Sequence, residues 1–229
     1  MASAGGFTGG GAMKRLAAGI LLGFVFVWLT GCTSSLTGGS VPTGIIDGTV
    51  NADTRGTEPA RVSLTRVPVV LRDGAGQVLQ TTISNAKGEF AFNNVAPGMV
   101  EVISTQDSRR GEVRFTMREG AHARVTLLIA KVNPSVVKLN IHSLKPASPD
   151  GSIELDEDED DVFTVNGEDE NGQAILNLPV SWVVIGGIGD ITPDGNFNAQ
   201  RVGQGELIVQ HDGVQQIIQI RVNPMVNTP

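Results

Sequence analysis

Tyrosine is absent from these 229 residues, cysteine occurs once and histidine three times. Each scarcity closes something off. The single cysteine, Cys32, permits no intramolecular disulfide, so packing and hydrogen bonds must supply the stability. Aromatic residues make up 4% of the chain, which leaves little for broad stacking platforms against bases or sugars. Basic residues number 17 against 24 acidic ones. The resulting charge of −7 argues against nucleic acid as a partner, because phosphates call for a basic surface. His122, His142 and His211 lie far apart, with no cysteine, carboxylate or second histidine at metal-ligand spacing. No serine sits in a Gly-x-Ser-x-Gly context. The expectation is a protein that is not an enzyme and carries no organic cofactor.

What is present begins at the N-terminus. Gly and Ala crowd residues 1–12, and Met13 is read as the true start. Lys14 and Arg15 then precede an apolar run, Leu16 to Leu29, which closes on Leu29-Thr30-Gly31-Cys32. The run falls short of the roughly 20 residues that span a bilayer comfortably. It resembles a bacterial lipoprotein signal peptide with its lipobox. That resemblance implies removal of residues 1–31, acylation of Cys32 and a short flexible tether over residues 32–43, rich in Ser, Thr and Gly. Loss of Lys14 and Arg15 leaves side chains summing to about −9. The resemblance further implies a membrane partner, through the lipid, and a place in the cell envelope. Thr33 is not the aspartate associated with inner-membrane retention, so the outer membrane is favoured in a Gram-negative cell.

Beyond the tether, short apolar alternations are broken by Gly, Asn, Asp and Pro, the pattern of an all-β chain. Residues 44–132 read as strands: Gly44 to Val50, Val67 to Leu71 (a run able to be buried on both faces), Val78 to Ile83, and Glu89 to Phe92 with two Phe rings on one side. Further alternation covers Val113, Phe115 and Met117, then Val125, Leu127 and Ile129. The order Gly48-x-Val50, Val69-x-Leu71, Thr81-Thr82 and Gly88-x-Phe90-x-Phe92-x-x-Val95-x-Pro97-Gly98 resembles the carboxypeptidase regulatory-like domain. That resemblance implies a transthyretin-like sandwich of the carbohydrate-binding-like group, with no catalytic residues. Phe90 and Phe92 are expected in the core.

Lys131 to Pro134 reads as a junction, and residues 136–224 repeat the alternation. Pro179-Val180-Ser181-Trp182, Gly187-Ile188-Gly189 and Asp194-Gly195-Asn196-Phe197 follow in order, resembling the bacterial immunoglobulin-like repeats of invasin- and intimin-type surface proteins. Trp182 is expected to fill that core, as a strand-C Trp does in immunoglobulin folds. The fold class is thus all-β, two tandem β-sandwiches after a cleaved signal and tether.

Polar features offer two candidate sites. Glu154 to Asp161 holds seven carboxylates in eight residues, and a hard divalent cation would relieve their repulsion. Glu154, Asp156, Asp158 and Asp160 are the candidate Ca²⁺ ligands. The spacing is not that of an EF-hand, since the sixth position from Asp156 is Asp161 and the twelfth is Gly167. The competing reading is a solvated loop whose like charges discourage edge pairing. Arg109, Arg110, Arg114 and Arg118 form a basic patch, explained by salt bridges to that acidic loop or by solubility. Gly186 to Gly189 is expected to make a hairpin and not a phosphate cradle, which would need a helix to follow. Asn51–Arg66, Gln106–Gly111 and the acidic segment are the candidate contact loops. The functional expectation is a structural, adhesive or protein-binding lipoprotein, with an unknown envelope protein or surface glycan as partner. The alternatives are a carbohydrate-binding module and an accessory subunit of an envelope assembly or export machine.

Overall fold

The computed structural model describes residues 41–53, 61–131 and 135–225. Every regular element among them is a β-strand. The first half contributes β1 (Gly44–Asp53), β2 (Arg61–Ser63), β3 (Pro68–Asp73), β4 (Val78–Ile83), β5 (Glu89–Val95), β6 (Gly98–Gln106), β7 (Arg109–Met117) and β8 (His122–Ile129). The second half begins with β9 (Lys138–Ser143), β10 (Ile153–Asp156), β11 (Asp160–Glu168), β12 (Ala174–Ile175) and β13 (Ser181–Ile185). It ends with β14 (Gly189–Ile191), β15 (Asn196–Ala199), β16 (Gly203–His211) and β17 (Val214–Asn223).

These strands build three layers. The middle sheet runs β10-β17-β16-β13-β8-β1-β2, with β5 also paired to β1. One outer sheet runs β4-β3-β6-β7, and the other runs β12-β11-β15-β14 with β9 on β11. The first core joins Ile46, Val50, Phe92, Val102 and Phe115 to Val183, Ile185 and Ile208. The second joins Phe163, Phe197 and Ile220 to Trp182, Val184, Leu207 and Val209. Alternate residues of one strand point to opposite sheet faces, so β13 and β16 supply both cores from their two sides. All five residues of β13 are buried. Phe90 and Phe92 pack edge to face, 5.7 Å between ring centres, and Phe163 meets Phe197 in the same way at 6.1 Å. Trp182 is in the core, as its sequence context suggests.

The two sandwich halves share their middle sheet. β8 pairs antiparallel with β13, from Thr126 opposite Trp182 to Ala123 opposite Ile185, so one sheet crosses the expected junction. Polar side chains reinforce the seam: Ser181 Oγ accepts from the Leu128 N–H at 3.1 Å, and Gln210 Oε1 accepts from the Arg114 N–H at 2.8 Å. The double burial expected of Val67 to Leu71 is found instead on β13 and β16. Pro68 is exposed and Val70 half-buried, because β3 lies in an outer layer with one covered face. Close approach explains Gly48: β1 runs parallel to β8 there, and a Cβ would sit 1.9 Å from the Val125 carbonyl oxygen.

Candidate functional site

Cys32 lies outside the described residues. The acidic run is not a loop. Glu154 and Asp156 stand on β10, which pairs parallel with β17, and Asp160 begins β11. Glu157 to Glu159 turn the corner between the middle and outer sheets, with Asp158 in the left-handed region at φ 64°. The four candidate ligands thus stand on two strands and the turn between them. Arg221 pairs with Glu154 at 3.1 Å and with Asp150 at 3.3 Å. Asn198 donates to Asp160 at 2.8 Å, and Lys145 pairs with Glu159. That lysine, with the Asp156 N–H, holds the Glu159 carboxyl below the usual carboxylate range. Asp161 is buried and accepts from the Ser143 hydroxyl and the Leu144 N–H. Among the described residues no group of three or more His, Cys, Asp or Glu is placed to hold a metal ion.

The basic patch meets other carboxylates than those of the acidic run. Glu101, buried on β6, receives Arg114 at 2.8 Å, Arg72 at 3.5 Å and Arg110 at 3.7 Å. Arg110 also pairs with Glu112, and Arg118 with Glu206. Hydrogen bonding to Glu101 raises the Arg114 guanidinium further above its already high value. β6 and β7 face one another in the sheet, which sets Glu101 opposite Arg114; the sequence distance of 13 residues conceals that pairing. Gln106–Gly111 is likewise a tight hairpin turning at Asp107, φ 54°. Within Asn51–Arg66, Ser63 pairs with Asn51 across β1 and β2. Gly186 to Ile188 form no hairpin: β13 belongs to the middle sheet and β14 pairs with β15 in the outer one. Gly186, at φ 109°, makes that crossing, where a Cβ would come within 2.8 Å of the Gln204 carbonyl oxygen.

A broad concavity among the described residues follows from the layering. The outer sheet of the second half reaches only as far as β8, where the Thr126 hydroxyl donates to the Ile191 carbonyl at 2.8 Å. Beyond that step no described residue covers the outward face of β8, β1 and β5. The result is a groove of about 860 Å³, with Thr49, Ala91 and Arg124 on its floor and Asp190 to Pro193 as its wall. An ionic chain crosses one end. His122 Nε2 lies 2.5 Å from Asp47, Arg124 spans from Asp47 (3.5 Å) to Asp190, and Gln200 donates to Asp190 at 2.7 Å. Residues 47, 122, 124 and 190 are remote in sequence, and only the β1–β8 pairing and the β14 crossing bring them together. The floor is internally satisfied, since Asn51 donates to Thr49 at 3.1 Å and Ser63 to Asn51 at 3.4 Å. The other two histidines are elsewhere. His142 is exposed on β9, and buried His211 on β16 lies 2.7 Å from the Pro179 carbonyl. Asp47, Arg124 and Asp190 thus answer one another across one end of the groove.

No family model matches the chain, and no curated protein matches it. Solved structures do. The major pilin subunit of Bacillus cereus is 8% identical, over 80% of this chain and 69% of that one, with a TM-score of 0.32. A DUF3823 family protein from Parabacteroides merdae is 15% identical, over 80% of this chain and all of its own length, at 0.29. Invasin, a bacterial integrin-binding protein, is 16% identical, over 74% of this chain and 34% of its own, at 0.26. The chain is an all-β protein of layered sandwich sheets.

Proposed function

We propose that this chain is a non-catalytic cell-envelope protein, anchored to a membrane through lipid on Cys32, with a structural or adhesive role exercised by binding. The observation that carries the binding part is the state of its polar side chains. Asp47, Arg124, Asp190 and Gln200 in the groove, and Glu101 with three arginines on the first outer sheet, are each engaged by another side chain. These mutual contacts fix the shape of the groove wall and of the outer sheet, as a binding surface requires. What remains open to a partner is surface: the groove floor beside β14 and the exposed sheet edges. The anchor part rests on the Lys14-Arg15, apolar run and Cys32 pattern, and Thr33 is the ground for an outer-membrane location. An envelope protein is the favoured partner.

A surface glycan is the second reading. Its specific support is the hydroxyl lining of the groove, Thr49, Ser63 and Thr192. Against it, Phe90 is the one aromatic among the described residues that line the groove and is itself buried, so these residues offer no ring face to a sugar.

Two measurements test the proposal. Labelling of intact cells with a palmitate analogue is expected to mark the wild type and not Cys32→Ala, which should leave the membrane fraction. A photo-crosslinker at Thr192, on the groove wall, is expected to capture a defined envelope protein that the same probe at Gln219 does not. Equal labelling of both chains would remove the anchor, and retention on one glycan class in an array would favour the second reading.

A further inference from the structure

Sheet edges are where a β protein meets a further strand, because each edge leaves a row of backbone N–H and C=O groups unpaired. Nearly every edge here carries charge or is very short. β10 bears Glu154 and Asp156, β9 Lys138, β14 Asp190, β5 Glu89, and β7 three arginines with Glu112. β12 has two residues and β2 three. β4 differs. Its six residues, Val78-Leu79-Gln80-Thr81-Thr82-Ile83, include neither charge nor proline. It ends the β4-β3-β6-β7 sheet and supplies no residue to either core. Yet Val78, Leu79 and Ile83 are 59%, 48% and 63% exposed. The strand is held in place all the same: it pairs with β3 from Ile83 to Gln80 and again at Val78, with a bulge at Leu79, and Gln80 donates to the Asn93 carbonyl at 2.8 Å.

We propose that β4 is the docking edge for a second copy of this chain, the two β4 strands pairing antiparallel across a two-fold axis. Two four-stranded outer sheets would thereby become one of eight. The order of residues makes the strand complementary to itself. With Thr81 opposite Thr81 on the axis, Leu79 of each copy faces Ile83 of the other, and Gln80 faces Thr82 on the opposite side. Leu79 and Ile83 thereby gain apolar neighbours, and the contact occurs twice, as an isologous interface requires; Val78 lies outside the paired stretch. Charge selects the same edge. A chain of net charge −7 repels its own copies over most of its surface, and β4 offers a strip without charge where two backbones can approach. Main-chain hydrogen bonds supply the attraction and the alternate side chains supply the register.

The test uses the full chain with Cys32→Ser, so that any introduced thiol is the only one and the outcome is independent of lipidation. Thr81→Cys is expected to give a reductant-sensitive covalent dimer under mild oxidation, and Thr116→Cys, exposed on β7, is not. Leu79→Cys mixed with Ile83→Cys is expected to cross-link faster than either alone. Thr81→Lys sets two ammonium groups against each other on the axis. It is expected to weaken self-association about tenfold or more by sedimentation equilibrium, with the melting temperature unchanged because Thr81 is exposed and outside both cores. A chain that sediments as a monomer up to its solubility limit overturns the proposal. So does a dimer that Thr81→Lys leaves intact, or a Thr81→Cys thiol that links in cells to a different protein in place of its own copy.

Discussion

Leu207 and Ile208 are neighbours on β16 that face opposite ways, Leu207 into the second core and Ile208 into the first. Each is at most 2% exposed. Alanine at either position removes buried methyl groups and leaves a cavity, a loss of about 2–5 kcal/mol. For a domain of this size that corresponds to a melting point lower by roughly 4–20 °C. Two self-contained sandwiches would register the losses separately, and Ile208→Ala would leave the surroundings of Trp182 untouched. The shared sheet changes that outcome. β8, β13 and β16 are hydrogen-bonded neighbours, and the alternate faces of β13 and β16 form part of both cores, so neither core can come apart with the sheet intact. The assay is a urea titration of the chain from Cys32 onward, whose one tryptophan is Trp182. Fluorescence reports the second core, and hydrogen exchange at Val102 and Phe115 reports the first. Both variants are expected to move both probes to one lower midpoint with the denaturant slope unchanged. A biphasic titration, or a midpoint for Trp182 that Ile208→Ala does not shift, would refute the reasoning.

Gly48→Ala forces a Cβ to 1.9 Å from the Val125 carbonyl oxygen; separating β1 from β8 should cost about 1–3 kcal/mol or more, read as a lower urea midpoint. The carboxyls of Glu159, Asp150 and Glu168 are held below the usual range, first by hydrogen bonds from Lys145, Ser152 and Asn140 respectively. The folded state then binds fewer protons than the unfolded one, so their stabilisation is complete above the ordinary glutamate value of 4.5 and fades as pH falls through the lowered values. Calorimetric melting points should therefore drop on acidification below that value, and less steeply in Glu159→Gln. Millimolar Ca²⁺ is expected to leave the melting temperature unchanged, because Glu154, Asp156, Asp158 and Asp160 do not converge; a rise of several degrees in a calcium titration would contradict this placement.

The sequence by itself determined the strand character, through the alternation that a half-buried sheet imposes on strands such as β5, β7 and β15. It also marked Phe90, Phe92 and Trp182 as core residues, since large apolar side chains next to turn signals have few other places to go. Pairing over distance was not legible. Whether Trp182 to Ile185 is buried on one face or two depends on what lies across both faces of its sheet, and that was decided when β13 docked against β8. The same docking ended the second outer sheet at β8, shaped the groove over β8, β1 and β5 and set Asp47, Arg124 and Asp190 side by side. Local periodicity is written by the backbone's own geometry and can be read residue by residue. The joining of two sheets into one is a contact between segments more than fifty residues apart, and only the tertiary structure records it.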